Sequence, residues 1–221
     1  MPSIAIDGPS GVGKSTLSRA LAGKLGYIYI DTGAMYRAIT LYALENGIDP
    51  SDECALTAAL PDIELSISYR DGEQRVFLGD RDVSEEIRSE RVTKVVSYPA
   101  AIPAVRSRLV EIQRSMAGSS NIVMDGRDIG TVVLPGADLK IFLTASDEER
   151  ARRRLNDFVK MGENVRLEDV LTDIRRRDEF DSSREVSPLR AADDAIVVDT
   201  TSNTFEMSLE YLYNLVRERG L

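Results

Sequence analysis

Residues 4–17 read IAIDGPSGVGKSTL: an apolar, strand-like run that ends on Asp7 and passes into a glycine-rich turn and a helix-forming stretch. The turn fits G-x-x-x-x-G-K-[ST] at every position, with a strand before it and a helix after it, the context this pattern requires. Gly8, Pro9, Ser10, Gly11, Val12, Gly13, Lys14, Ser15 and Thr16 are therefore expected to wrap the phosphate chain of a nucleotide such as ATP. Glycines let backbone N–H groups turn inward around phosphate oxygens, and the start of the following helix adds its positive end. Lys14 is expected to reach the outer phosphates, Ser15 to ligate Mg2+ through its hydroxyl, and Thr16 to lie near the α-phosphate.

Working outward, five short apolar runs at 3–7, 27–31, 121–125, 139–143 and 195–199 read as buried parallel strands separated by helical patterns. That alternation predicts an α/β fold, a parallel sheet covered on both faces. Four of the runs end on aspartate (Asp7, Asp31, Asp125, Asp199), and ligands gather at the carboxyl edge of such sheets. Aspartate also leaves strands because it favours turns, which accounts for each one singly. Helices are expected at 14–25, stopping at Gly26, and at 34–46, stopping at Gly47; Ser146 and Glu149 form a capping-box pattern, and Asn203 is placed to cap the last helix. That last helix repeats Phe205, Leu209, Leu212 and Val216 at helical spacing, a core-facing stripe. Within 61–83 the pattern changes to alternation, with Ile63, Leu65, Ile67 and Tyr69, then Asp71-Gly72, then Val76 and Leu78, which predicts a small antiparallel hairpin inserted in the α/β body.

Composition bounds the chemistry. The chain has 221 residues, no histidine and one cysteine, Cys54, read as a small apolar side chain in a helix. Without histidine the commonest general base is missing, so catalysis must rest on carboxylates, lysine, arginine, metal, or no base at all. A net charge of −9 argues against a nucleic-acid or anionic-membrane surface, and no apolar run approaches the ~20 residues of a membrane span. No secretory signal pattern precedes the first strand, so a cytoplasmic location is expected. Arginine outnumbers lysine 23 to 5. Arginine grips phosphate bidentately, although a GC-rich genome gives the same bias.

A phosphate loop alone leaves the reaction open. A guanine reader of the form [NT]KxD is not found; TKVV at 93–96 lacks the aspartate. A second anion site is readable, however. YIDTGAMYR at 29–37 puts Thr32 at a helix start with Arg37 about one turn in, and MDGRDIGT at 124–131 packs Asp125, Arg127 and Asp128 into a turn after a strand. GPSGVGKST, DTGAMYR, SYPAAIPAVR at 97–106, DGRDIGTVV and RRRDEFDSSREVSPLRAADDAIVVDT occur in the order and spacing of bacterial cytidylate kinases, and the chain resembles that family nearly end to end.

The resemblance implies the three-layer nucleoside monophosphate kinase fold of the P-loop proteins: a five-stranded parallel core (1–60, 84–148, 179–221), a lid (149–178) and an inserted small antiparallel sheet (61–83) in one kinase domain. It implies transfer of the γ-phosphoryl of ATP to CMP or dCMP, with Mg2+, in a monomer. Lys14, Arg127, Arg184 and Arg154 would be catalytic; Ser15 and Asp125 would serve the metal. Thr32, Arg37, Ser97, Arg106, Arg127, Asp128, Arg177, Asp181 and Arg184 would bind CMP: Arg37, Arg127 and Arg184 its phosphate, Arg177 and Asp181 the ribose, Ser97, Arg106 and Asp128 the base. Asp128 suits cytosine, since its carboxylate can accept from the amino group at N4, where uracil presents a carbonyl. In the lid, Arg150, Arg153 and Arg154 share a helix face and Arg175, Arg176 and Arg177 form a second cluster. Either these pair on the surface, or some of them close over the phosphates. Other small-molecule kinases, with shikimate or a different nucleotide as acceptor, and nucleotide-dependent switches remain the alternatives.

Overall fold

The computed structural model describes all residues except Asp71, Ser119, Met161 and Glu163. In chain order the elements are β1 (Ser3–Asp7), α1 (Lys14–Leu25), β2 (Ile28–Asp31), α2 (Thr32–Glu45), α3 (Glu53–Ala59), β3 (Leu65–Arg70), β4 (Glu73–Leu78), β5 (Arg81–Asp82), α4 (Glu90–Val95), α5 (Pro103–Ala117), β6 (Ile122–Gly126), β7 (Leu139–Thr144), α6 (Asp147–Lys160), α7 (Leu167–Ser183), β8 (Ile196–Asp199) and α8 (Phe205–Glu218). All five expected core strands form, in one parallel sheet of order β2-β6-β1-β7-β8. The connection leaving β1 runs to the β2 edge while those leaving β6 and β7 run the other way, so the strand order reverses at the carboxyl end of β1. The phosphate loop starts at that reversal, where open α/β sheets bind ligands.

The chain forms two compact units, one of residues Met1–Tyr29 with Ser120–Leu221, the other Ile30–Ser119. In the first, β1, β6 and β7 contribute Ile4, Ile6, Val123, Ile141 and Leu143 to a core that α1 closes with Leu17 and Leu21, and α8 with Leu212 and Val216. Each fully buried side chain of this size contributes about 1.5–3 kcal/mol. Gly26 ends α1 in the left-handed region at φ 70°, as expected of a helix-stopping glycine. The cap of α8 is Thr204 rather than the expected Asn203: the Met207 N–H donates to Thr204 Oγ1 at 3.2 Å. Its inward face is Ser208, Leu212 and Val216, with Leu209 partly buried, whereas Phe205, in the first turn, is exposed. At α6 half of the expected capping box forms. The Glu149 N–H donates to Ser146 Oγ at 3.3 Å, but the Ser146 N–H goes to Thr201 Oγ1 and the Glu149 carboxylate pairs with Arg153. α6 and α7 share a small cluster of Ala151, Val170 and Ile174.

In the second unit, β3, β4 and β5 form an antiparallel sheet, so the inserted hairpin gains a third strand through Phe77–Asp82 and Leu78–Arg81 pairing. Its apolar face, with Val76 buried and Leu65, Ile67 and Leu78 half-buried, packs with Ala34, Ala38 and Leu41 of α2. Tyr69, near the hairpin turn, is exposed; Asp71 of that turn lies outside the described residues. Cys54 sits on α3, as a helix residue, but its side chain is exposed rather than packed. No helix of the described residues is long and apolar enough to cross a membrane.

Candidate active site

The glycine turn is fixed at both ends. Gly8 has φ 150°, and a Cβ there would lie 2.2 Å from the Leu143 carbonyl oxygen on β7, a collision that only glycine avoids. At the other end Gly13 caps α1 and Lys14 begins it. Lys14 is 6% exposed, and its ammonium donates to the Pro9 carbonyl at 2.7 Å, across the loop. Burial, then the positive charges of Arg127 and Arg177, hold its pKa well below the usual lysine value, while Asp125 and Asp7 act against the shift. A buried ammonium so placed gains from an arriving polyanion.

Beside the loop, Asp125 at the end of β6 accepts from Ser15 Oγ at 3.0 Å through one oxygen and from Tyr29 Oη at 2.8 Å through the other. Hydroxyl and carboxylate are hard oxygen donors that suit Mg2+, an ion that keeps several waters and takes phosphate oxygens. Tyr29, which orients the carboxylate, carried no signal in the sequence beyond its place in a strand. The turn that follows β6 hangs on Asp7: its two oxygens accept from the Ile129 and Gly130 N–H groups, both at 2.8 Å. Burial pushes Asp7 up to about 6, against the pull of those two donors, with nearby Asp128 adding to the rise.

Four expected acceptor-site residues of the first unit form one network. Arg127 Nε donates to Asp181 Oδ2 at 3.0 Å; Arg184 pairs with the other Asp181 oxygen at 3.4 Å, and the charge of Arg177 acts on the same carboxylate. Burial raises the Asp181 pKa, but these three guanidinium groups outweigh it and hold the carboxyl below the usual range. Asp181, expected at a ribose, thus serves here as the counter-ion of three arginines. Asp128 is buried in the turn after β6, one residue beyond Arg127. Arg154 stays apart from this network, stacked over Phe158 at 4.8 Å.

The second unit carries the remaining expected residues. Thr32 is the buried first residue of α2, whose cap is Asp31, accepting from the Ala34 N–H at 3.0 Å. Arg37 donates to Thr93 Oγ1 at 2.8 Å and to the Ile87 carbonyl at 3.2 Å. Arg106, 3% exposed, donates to the Ala100 carbonyl and stacks over Tyr36 at 5.5 Å. Ser97 is half-buried in a turn after α4 and caps no helix. Gln74 of β4 pairs with the Asp31 backbone in both directions, at 2.9 and 3.0 Å, pinning the inserted sheet to the start of α2. Sequence gave no pointer to Gln74, because its partner is 43 residues away.

Arg150 and Arg153 of α6 bind the phosphate loop itself. Arg150 donates to the Ser10 carbonyl at 2.8 Å, and Arg153 to the Val12 carbonyl at 3.2 Å and the Thr200 carbonyl at 2.6 Å. Arg175 pairs with Asp147 and Glu148, and Arg176 with Asp173, as surface ion pairs.

The family model described as cytidylate kinase matches residues 4–218. Cytidylate kinase of Mycolicibacterium paratuberculosis is 54% identical over 218 residues, covering 98% of this chain and 96% of that protein. Cytidylate kinase of Bacillus licheniformis is 51% identical over 219 residues, with the same coverage of 98% and 96%. Among solved structures, an uncharacterized protein from Eubacterium ventriosum shares the fold at a TM-score of 0.51 and 12% identity, covering 98% of each chain. A glycine turn at the reversal of the sheet, a serine–aspartate pair beside it and arginines gathered on one buried aspartate thus coincide with end-to-end likeness, and the chain belongs to the cytidylate kinase family.

Proposed function

We propose that the protein transfers the γ-phosphoryl group of ATP to CMP and dCMP, with Mg2+, giving the diphosphates. The observation that supports this reading most directly is the cationic network of Lys14, Arg127, Arg177 and Arg184 within the unit that carries the phosphate loop. The acceptor oxygen of a nucleoside monophosphate is already anionic at neutral pH, so transfer needs no general base. A chain without histidine is suited to such a reaction. Catalysis then consists of alignment and charge neutralisation.

In this reading the loop's backbone and Lys14 hold the donor. Arg37, Arg127 and Arg184 hold the acceptor phosphate, Arg177 and Asp181 the ribose, and Ser97, Arg106 and Asp128 the base. Thr32 supports the acceptor at the start of α2, and Arg154, on the 149–178 lid, closes on the phosphoryl in flight. Ser15 and Asp125 would hold Mg2+, which supplies charge neutralisation on the donor phosphates. The 61–83 sheet belongs to the monophosphate-binding region. The expected state is a monomer, and the net charge of −9 favours small-molecule substrates over nucleic acid in a cytoplasmic enzyme. The test is ATP turnover against CMP, dCMP, UMP, AMP and shikimate. CMP and dCMP should be preferred, since a site built around a cytosine amino group leaves polar groups unpaired with another base, at about 1–3 kcal/mol each. Equal or better turnover with shikimate or AMP would overturn the assignment.

A further inference from the structure

The outer side of the phosphate loop is gripped by side chains from more than a hundred residues away. Arg150 Nη1 donates to the Ser10 carbonyl at 2.8 Å and also to the Asp178 carboxylate, while the other Asp178 oxygen accepts from the Ser10 N–H at 3.1 Å. The rest of the Arg150 fork is anchored on the Ala145 carbonyl at 3.2 Å and on Asp147 at 2.5 Å, and the residue is 4% exposed. Arg153 holds the Val12 carbonyl from the same helix. Gly11 lies flush against this surface: with φ 75°, a Cβ on it would sit 3.2 Å from the Arg150 carbonyl oxygen and 3.4 Å from Ile174 Cδ1.

We infer that Arg150 and Asp178 are a positioning pair, which sets the direction of the loop's peptide groups and through them its affinity for ATP. In a trans peptide the carbonyl and the next residue's N–H point in opposite directions. Holding the Ser10 carbonyl outward on Arg150 therefore turns the Gly11 N–H to the other side, and holding the Val12 carbonyl on Arg153 does the same for the Gly13 N–H. Fixing the Ser10 N–H on Asp178 turns the Pro9 carbonyl the opposite way, and that carbonyl is the one Lys14 reaches. The face away from α6 and α7 thus presents two amide donors, and the one carbonyl turned toward it, that of Pro9, is occupied by the Lys14 ammonium, an arrangement suited to a polyphosphate. Neither residue touches the nucleotide in this account. They act through the loop, and tie its shape to α6 and α7.

The inference rests on the loop being the ATP site, and the experiment separates the two. ATP affinity is titrated without CMP, and KM for each substrate and kcat are measured, in wild type, Arg150→Lys, Arg150→Gln and Asp178→Asn. Lysine keeps the buried charge but not the fork, and asparagine keeps an acceptor for Ser10 but not the charge that holds Arg150. ATP affinity should fall about tenfold in Arg150→Lys and Asp178→Asn and up to about 100-fold in Arg150→Gln, in line with the loss of buried charge-assisted bonds. KM for CMP at saturating ATP should change by less than about threefold, because uniform donor binding alone is lost. Should Arg150→Gln fail to fold, the two milder variants decide. Wild-type ATP affinity in either, or equal losses toward ATP and CMP, overturns the inference. Wild type that binds ATP yet phosphorylates no CMP overturns the kinase assignment and leaves the positioning pair standing.

Discussion

Asp181 shows how one buried carboxylate can hold several cations together. Its carboxylate neutralises part of a three-arginine cluster that would otherwise repel itself, so the arginines stay gathered before any anion arrives. Replacing Arg184 by alanine should leave a folded protein, because Arg127 and Arg177 still face Asp181. Its kcat/KM for CMP should fall by about 3–4 kcal/mol, roughly 10²- to 10³-fold. Wild-type turnover in that variant would remove Arg184 from the acceptor clamp. Asp7 makes the opposite case. Native Asp7, pushed up to about 6 from 3.8, binds its proton more tightly than the unfolded chain does. Its contribution to stability is greatest below about pH 4 and is lost as pH rises through about 4 to 6, a change of order 3 kcal/mol. Urea titrations at several pH values should show wild type losing stability relative to Asp7→Asn across that window. A difference between the two that is flat with pH would contradict the buried state of Asp7.

At the scale of elements, most boundaries were legible because they are set by neighbours in sequence. β1 and α1 form over the residues their patterns predict, and α1 stops at Gly26 because that glycine takes φ 70°. The start of α8 was harder, since Asn203 and Thr204 are both good caps and sit side by side before it. The structure chooses Thr204, so Thr204→Ala should cost about 1 kcal/mol in urea denaturation, whereas Asn203→Ala should cost only a few tenths. The reverse order would restore the sequence-based assignment. Alternation in 61–83 announced the antiparallel pairing, but the third strand is two residues long, too short for any period to register.

At the scale of the whole molecule, a nucleotide that binds the native state alone should stabilise it. At an ATP concentration about 100 times Kd, the native state gains about 2.7 kcal/mol, which in a chain of 221 residues corresponds to a Tm rise of roughly 5–10 °C. Calorimetry with and without nucleotide measures this directly, and an unchanged Tm would deny binding to the native state. By itself the sequence determined the phosphate loop, the parallel strands, the helix stops and the family, because each is written in spacing along a contiguous stretch or in an ordered series of such stretches. Only the tertiary structure decided what each arginine does. Arg150 and Arg154 stand four residues apart on one helix, yet Arg150 is buried against Ser10 and Asp178 while Arg154 stacks on Phe158. A charged side chain takes its role from the partner it meets, and for Arg150 that partner lies 140 residues away, a distance no local pattern encodes.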